Sequence, residues 1–351
     1  MTNTPPSATP LNPAASSAPA LAPAVKALAE ADFSVLAARF GDAGFTVALP
    51  APGIVSIKAG DAARASVLVS VGVHGDETGP IEMLACLLES LARQPQALAV
   101  DLMVCVGNVD AIAAGQRFID ADLNRMFRAE RGALASAVEA ARADVMIAAT
   151  AEFFRHAGPQ RWHLDLHTAI RPSVYPTFAI VPDLIAPERR DALIGWLGQA
   201  AIGAIIMNPS TAGTYSYHSA EHHAAAGTTV ELGRVGMLGQ NDMRLFAAAS
   251  AALDALLRGQ APPVSQRVPQ LFRVAQEVIK LSDAFAMAFG PSTPNFSSLK
   301  AGEIIATDGD TEYKVHHPEE LVVFPNPGVR VGLRAALMVV AVSNTVSKDN
   351  P

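Results

Sequence analysis

The stretch Val67-Leu68-Val69-Ser70-Val71-Gly72-Val73-His74-Gly75-Asp76-Glu77-Thr78-Gly79-Pro80 decides how the chain is read. It opens as a run of β-branched and apolar residues, the pattern of a strand buried on both faces. It closes on a polar turn, after which 81–93 has the apolar spacing of an amphipathic helix, with Pro80 near its first turn. His74 and Glu77 stand at the mouth of the strand, spaced H-x-x-E. A turn loosened by Gly75 and Gly79 can aim an imidazole and a carboxylate at one point. Zinc hydrolases need such nitrogen and oxygen ligands, with a position left open for water. H-x-x-E by itself is a weak signal. Its place at the C-terminal end of a strand strengthens it, because open α/β sheets bind ligands there.

Working outward, 351 residues can bury one large core, or one core and a smaller second domain. Half the residues are hydrophobic, yet no window is a continuous membrane-spanning run, so no membrane partner is expected. A net charge of −7 excludes a general nucleic-acid binder, which would carry a basic face. Cys86 falls in the apolar helix and Cys105 in a later strand. Two buried thiols imply a reducing compartment. The N-terminus lacks a basic segment followed by an apolar one, so cytoplasm is the expected location.

Residues 1–23 are Ala, Pro, Ser and Thr without periodicity and read as a disordered tail. A helix is predicted over 24–40, and strands over 47–49, 53–58, 67–73 and 99–106, with a short helix at 111–116. The polar stretch 118–127 is irregular, and 134–156 is an Ala-rich helix. Strands follow at 161–167, 177–181, 204–207 and 227–232, with helices at 189–201 and 241–258. This alternation gives an α/β class with a largely parallel sheet covered on both faces. The domain therefore spans 24–258. A Gly- and Pro-punctuated linker occupies 259–269, and the short, turn-broken runs of 270–346 read as a small β domain. There is no internal repeat.

The strand His163-Leu164-Asp165-Leu166-His167 puts His163, Asp165 and His167 on one side. His167, at its end, completes a His74, Glu77, His167 set with an open fourth position. Asp165 is a candidate outer acceptor that fixes a histidine tautomer, or equally an acceptor of a backbone hydrogen bond. Glu231 emerges at the end of the 227–232 strand, where a hydrolytic water at a metal needs a carboxylate to take its proton; by position alone it reads equally as a structural or surface glutamate. Arg117, Arg125 and Arg171 cluster near these positions. In an acidic protein they suggest an anionic substrate, held by bidentate guanidinium contacts. A second H-x-x-E, in His218-Ser219-Ala220-Glu221-His222-His223, has no buried strand feeding it and reads as a polar loop near the site. His316 and His317 read as surface residues.

Taken in order, Gly72-Val73-His74-Gly75-Asp76-Glu77-Thr78, Arg117, Asp122-Leu123-Asn124-Arg125, Asp165-Leu166-His167-Thr168 and Glu231-Leu232-Gly233 resemble the succinylglutamate desuccinylase/aspartoacylase family. The likeness extends over nearly the whole chain beyond the tail. The run Trp162 to Arg171, Gly239-Gln240-Asn241-Asp242, Phe324-Pro325-Asn326-Pro327 and Gly332-Leu333-Arg334-Ala335 resemble its desuccinylase branch. The resemblance implies a zinc-carboxypeptidase-like α/β/α sandwich with a mixed, largely parallel sheet and a C-terminal β domain. It implies hydrolysis of N-succinyl-L-glutamate to succinate and glutamate, the last step of arginine catabolism by the succinyltransferase route. One Zn²⁺ per chain would be held by His74, Glu77 and His167, with Glu231 as general base. Arg117 would polarise the scissile carbonyl, while Asn124, Arg125 and Arg171 would bind substrate carboxylates. Asp76 stands where the family often has Asn, adding negative charge beside the metal. An aspartoacylase-like deacylase of another N-acyl amino acid is the alternative enzyme, and a non-catalytic zinc-binding protein the alternative of another class. Oligomeric state is not readable from these residues.

Overall fold

The computed structural model of the protein describes residues 20–58, 65–210, 213–261, 268–290 and 292–342. The predicted tail up to residue 19, much of the 259–269 linker and the end of the β region lie outside these residues.

The chain begins with α1 (Pro23–Ala29) and α2 (Ser34–Asp42), followed by the antiparallel pair β1 (Thr46–Ala51) and β2 (Ile54–Lys58). The single helix expected over 24–40 is thus two. Ala31 stands at φ 58°, and the Asp32 carboxylate accepts the Ser34 backbone N–H at 2.8 Å, so the chain turns and restarts. Next come β3 (Ser66–Val71), α3 (Gly79–Arg93), β4 (Asp101–Val106), α4 (Val109–Ala114), α5 (Val138–Phe154), β5 (Arg161–Ala169) and β6 (Thr177–Pro182). Then follow α6 (Pro187–Gln199), β7 (Ala204–Asn208), α7 (Tyr215–His223), β8 (Ala226–Arg234) and α8 (Ala247–Leu257). The C-terminal strands are β9 (Gln270–Ile279), β10 (Ala286–Met287), β11 (Ser297–Lys300), β12 (Ile304–Asp308), β13 (Thr311–Lys314), β14 (Glu319–Val323) and β15 (Arg334–Ala341).

All six residues of β3 are buried, as its apolar run requires of a strand covered on both faces. Val67, Val69 and Val71 face α3 and α8 through Ile81, Leu84 and Leu253. Leu68, pointing the other way, packs with Met146 and Phe153 of α5 and with Tyr215 of α7. Burying each such Val or Leu contributes about 1.5–3 kcal/mol relative to exposure. Helices therefore cover both faces, and the expected α/β/α sandwich is present. The central strands β4, β3, β5 and β8 are parallel, while β6 runs antiparallel to β8, so the sheet is mixed. Strand β9 pairs in parallel with β7 and antiparallel with β15, which carries the same sheet into the C-terminal β-rich region. A separate three-stranded sheet has the order β10-β12-β13.

Two local expectations are corrected. Cys86 lies on the solvent side of α3 and is exposed, so only Cys105, in β4, is a buried thiol. Residues 218–223 are not loop but the end of α7, which follows the buried strand β7. Helical periodicity was masked there because the buried residues, among them Tyr215, Ser216, His218 and Ser219, are largely polar. Several of their polar atoms meet partners remote in sequence. The Tyr215 hydroxyl meets Thr150 Oγ1 at 2.6 Å, and its ring stacks on Phe127 with centroids 4.5 Å apart. Gly227 is obligatory in the return to β8, since a Cβ there would come within 2.3 Å of the Ser216 carbonyl oxygen. Among the described residues no helix is long and apolar enough to cross a membrane.

His163 of β5 is fully buried, with Nε2 2.9 Å from Ser70 Oγ and Nδ1 2.6 Å from Ser219 Oγ. Burial pushes its imidazole down to about 4. The unfolded chain takes up this proton below pH about 6.5, whereas the folded one resists until about 4, so His163 removes stability as the pH falls through that window. The full loss is on the order of 3 kcal/mol. In thermal unfolding between pH 7.5 and 4.5, His163→Gln should flatten the acid slope even if its Tm at pH 7.5 is lower. An unchanged slope would contradict this assignment.

Candidate active site

The parallel register of the central strands brings the site together. Ser70 of β3 lies beside Asp165 of β5, and His167 of β5 lies beside Glu231 of β8. Neighbours in a parallel ladder project to the same face, so His167 and Glu231 emerge together where the turn after β3 delivers His74 and Glu77. That turn is pressed against the next segment. A Cβ on Gly75 would stand within 2.5 Å of backbone atoms of Ala111, Ile112 and Gln116, and the Gly75 N–H donates to the Arg117 carbonyl at 3.1 Å.

Glu77 is the centre. Its Oε1 lies 2.8 Å from His74 Nδ1 and accepts a hydrogen bond from Arg117 Nη1 at 2.8 Å. Its Oε2 lies 2.9 Å from His167 Nδ1 and accepts the Thr168 backbone N–H at 3.0 Å. Burial opposes ionisation, but His74 and His167 together hold the Glu77 carboxyl well below the usual range. His167 is held well above the usual histidine range: burial works against the charge, and Asp165 and Glu77 outweigh it.

His74, Glu77 and His167 are all buried, and each offers a ligand atom within 4.8 Å of the others. Among the described residues this is the only such group of three or more. The donor set fits a metal. Both inward nitrogens are Nδ1, and each outward Nε2 faces a carboxylate: Asp122 Oδ1 at 2.9 Å from His74 and Asp165 Oδ2 at 2.9 Å from His167. Carboxylates so placed fix which nitrogen faces inward. The His167–Asp165 pair is within ion-pair range but off hydrogen-bond alignment, while Asp165 Oδ1 accepts from Ser70 Oγ at 2.5 Å. Asp165 thus stands where the sequence placed an outer acceptor. Asp122 was quoted only as part of a motif. Its contact with His74 spans 48 residues of chain and has no local signature.

Glu231 is buried, and its Oε2 has no hydrogen-bond partner among the described residues. Burial, then the Glu77 carboxylate, push it up to about 7, against the opposing pull of His167, Arg117 and His74. A carboxyl titrating near neutrality can both take and return a proton.

His74, Glu77, Arg117, His167 and Glu231 line a cleft of about 860 Å³ that also holds Asn124, Arg125 and Arg171, so the residues given a metal, catalytic or substrate role from the sequence reach one cavity. Their commitments differ. Arg117 lies against the cluster, with Nη2 3.2 Å from His74 Nε2 and Nη1 3.8 Å from Asp76. The Asn124 side-chain oxygen accepts the Tyr215 backbone N–H at 2.9 Å, anchoring the start of α7. Arg171 is at the margin, donating from Nη1 to the Gly290 carbonyl at 3.1 Å. Arg234, Arg330 and Arg334 also line the cleft and were not singled out as site residues, although Arg334 falls within a quoted signature. His218 is not a lining residue of this cleft, and His316 is exposed, as expected.

A buried two-histidine, one-carboxylate cluster at parallel strand ends, facing a further carboxylate with a near-neutral pKa, could hold a metal ion and activate water, as a hydrolase requires. The chain belongs to the succinylglutamate desuccinylase/aspartoacylase family: residues 63–257 match its catalytic domain, and 267–342 match the AstE/AspA barrel-sandwich hybrid domain. The succinylglutamate desuccinylase of Burkholderia lata is 45% identical over 285 residues, covering 81% of each chain. The X-ray structure of the succinylglutamate desuccinylase from Vibrio parahaemolyticus matches with a TM-score of 0.80 and 32% identity, over 86% of this chain and 89% of that one. The enzyme of the same name from Chromobacterium violaceum matches with a TM-score of 0.74 and 32% identity, over 88% of this chain and 99% of that one.

Metal analysis of the purified protein should find one divalent ion per chain. His167→Ala should lose it and His218→Ala should keep it. The reverse pattern, or two ions per chain, would move the metal away from this cluster.

Proposed function

We propose that this protein hydrolyses the amide of N-succinyl-L-glutamate to succinate and L-glutamate, with one zinc ion held by His74, Glu77 and His167. The observation that carries the reading is Glu231, a buried carboxyl with an oxygen unpartnered among the described residues, facing that cluster within an arginine-lined cleft. A non-catalytic zinc protein has no need of such a group. The named relatives at 45% and 32% identity support the substrate. The reaction is then the closing step of arginine catabolism by the succinyltransferase route.

Bound zinc would supply Lewis acidity at the scissile carbonyl and acidify water at neutral pH. Glu231 takes the proton of the attacking water and passes it to the amide nitrogen as the C–N bond breaks, which leaves succinate and the free amine of glutamate. Arg117 donates toward the oxygen on which negative charge develops. Asn124, Arg125 and Arg171 hold the substrate carboxylates, and a forked guanidinium contact fixes both their position and their angle. N-acetyl-aspartate has one carboxylate fewer and a shorter acyl group. It would leave a guanidinium facing nothing, and an unpaired polar group in a cleft discriminates strongly.

Glu231→Gln should keep its zinc and lose turnover by on the order of 10²- to 10⁴-fold. Near-normal turnover would exclude the general-base role. In a screen of N-acyl amino acids, wild-type protein should favour N-succinylglutamate in kcat/KM over N-acetyl-aspartate. Equal values, or preference for the acetylated compound, would point to an aspartoacylase-like deacylase instead.

A further inference from the structure

We propose that Arg334 and Arg125 together form a carboxylate-binding subsite, in which the C-terminal β region supplies the second guanidinium to the cleft. The inference deepens the substrate reading above and rests on it.

Two of the signatures that the catalytic assignment leaves without a role, Phe324 to Pro327 and Gly332 to Ala335, border the cleft, through Phe324, Pro325, Asn326, Leu333 and Arg334. Phe324 holds φ 54°, and its N–H donates to the Asn295 side-chain oxygen at 2.8 Å. A large non-glycine residue kept in the left-handed region is a strain that neighbouring structure must enforce. Here it shapes the wall next to the arginines.

Arg334 opens β15 with its side chain 19% exposed. Its Nη1 donates to Glu277 Oε1 at 2.9 Å, and among the described residues Nη2 and Nε have no hydrogen-bond partner. Glu277 is itself shared, accepting from Ser210 Oγ at 2.6 Å. Arg125 comes from the other part of the chain. Its Nη1 donates to the Asn124 carbonyl at 2.7 Å, and its Nη2 lies 3.7 Å from Asp122 Oδ2, an acid already engaged with His74. The two guanidinium groups are near enough that, after burial, the charge of Arg125 is the next cause lowering the pKa of Arg334. Arg330, the other cation on this wall, donates to the Asp120 carbonyl at 3.4 Å.

Two like charges held in one half-buried cleft, each with a shared or distant counterion, repel until an anion lies between them. A carboxylate with two oxygens matches the paired forks. A substrate with three carboxylates around one amide supplies such a group away from the scissile bond.

The test is calorimetric titration of the zinc-loaded full chain with succinate and, separately, with L-glutamate, for wild type, Arg334→Gln, Arg334→Lys and the surface control Arg244→Gln. Arg334→Gln should weaken one of the two ligands by about 10- to 100-fold, leave the other nearly unchanged, and raise KM for N-succinylglutamate more than it lowers kcat. Arg334→Lys, which keeps the charge toward Glu277 but not the fork, should fall between, and it serves as the probe if the Gln variant does not fold. The control should match wild type. Unchanged affinity for both ligands would overturn the proposal. So would equal weakening of both together with loss of zinc or of Tm, or wild-type protein that binds neither. If wild type bound these ligands selectively through Arg334 but did not turn over N-succinylglutamate, the substrate reading would fail while the subsite stood.

Discussion

The Glu77 carboxylate is the interaction on which the rest depends. Its two oxygens are divided between two histidines that reach it from opposite directions, one three residues away and one ninety. A buried carboxylate is tolerated only when paired, and removing one partner of such a pair costs about 3–5 kcal/mol. The β3 turn, the end of β5 and Arg117 must therefore converge before Glu77 can be buried at all. A cation is the natural occupant of a point at which two imidazole nitrogens and a carboxylate meet, and the outer acids Asp122 and Asp165 orient the rings toward it.

Around this centre the cleft divides into two electrostatic zones. The inner one holds Glu77 and Glu231, and their mutual proximity is part of what lifts Glu231 toward neutrality. The outer one holds Arg125, Arg171, Arg234, Arg330 and Arg334, a local excess of positive charge in a chain whose net charge is −7. In the proposed reaction, proton transfer belongs to the first zone and anion recognition to the second. Continuity of the main sheet through β7, β9 and β15 holds the two at fixed separation.

The legible parts of the sequence were those governed by short-range periodicity. The unbroken apolar run of β3 and the alternation of β5 announced strands, and with them the positions of His74, His167 and Asp165. Glu231 was legible because its strand ends one residue later in the apolar pattern. The break between α1 and α2 was missed because Ala31 and Asp32 turn the chain without a glycine or proline at the turn. Helix α7 was missed because its buried side is polar, with hydrogen bonds to Thr150, Thr229 and His163 outside the helix. Arg334 was visible as a residue but not as part of a site. Its place in the cleft follows from strand pairing between segments more than fifty residues apart, which no local pattern encodes.

The most direct measurement of the central claim is X-ray absorption at the zinc edge on metal-loaded protein. The account predicts a first shell of two imidazole nitrogens with the remaining donors oxygen, at roughly 2.0–2.2 Å, and no sulfur. Three imidazoles, which would implicate the histidines of α7, or a sulfur scatterer near 2.3 Å, would contradict it.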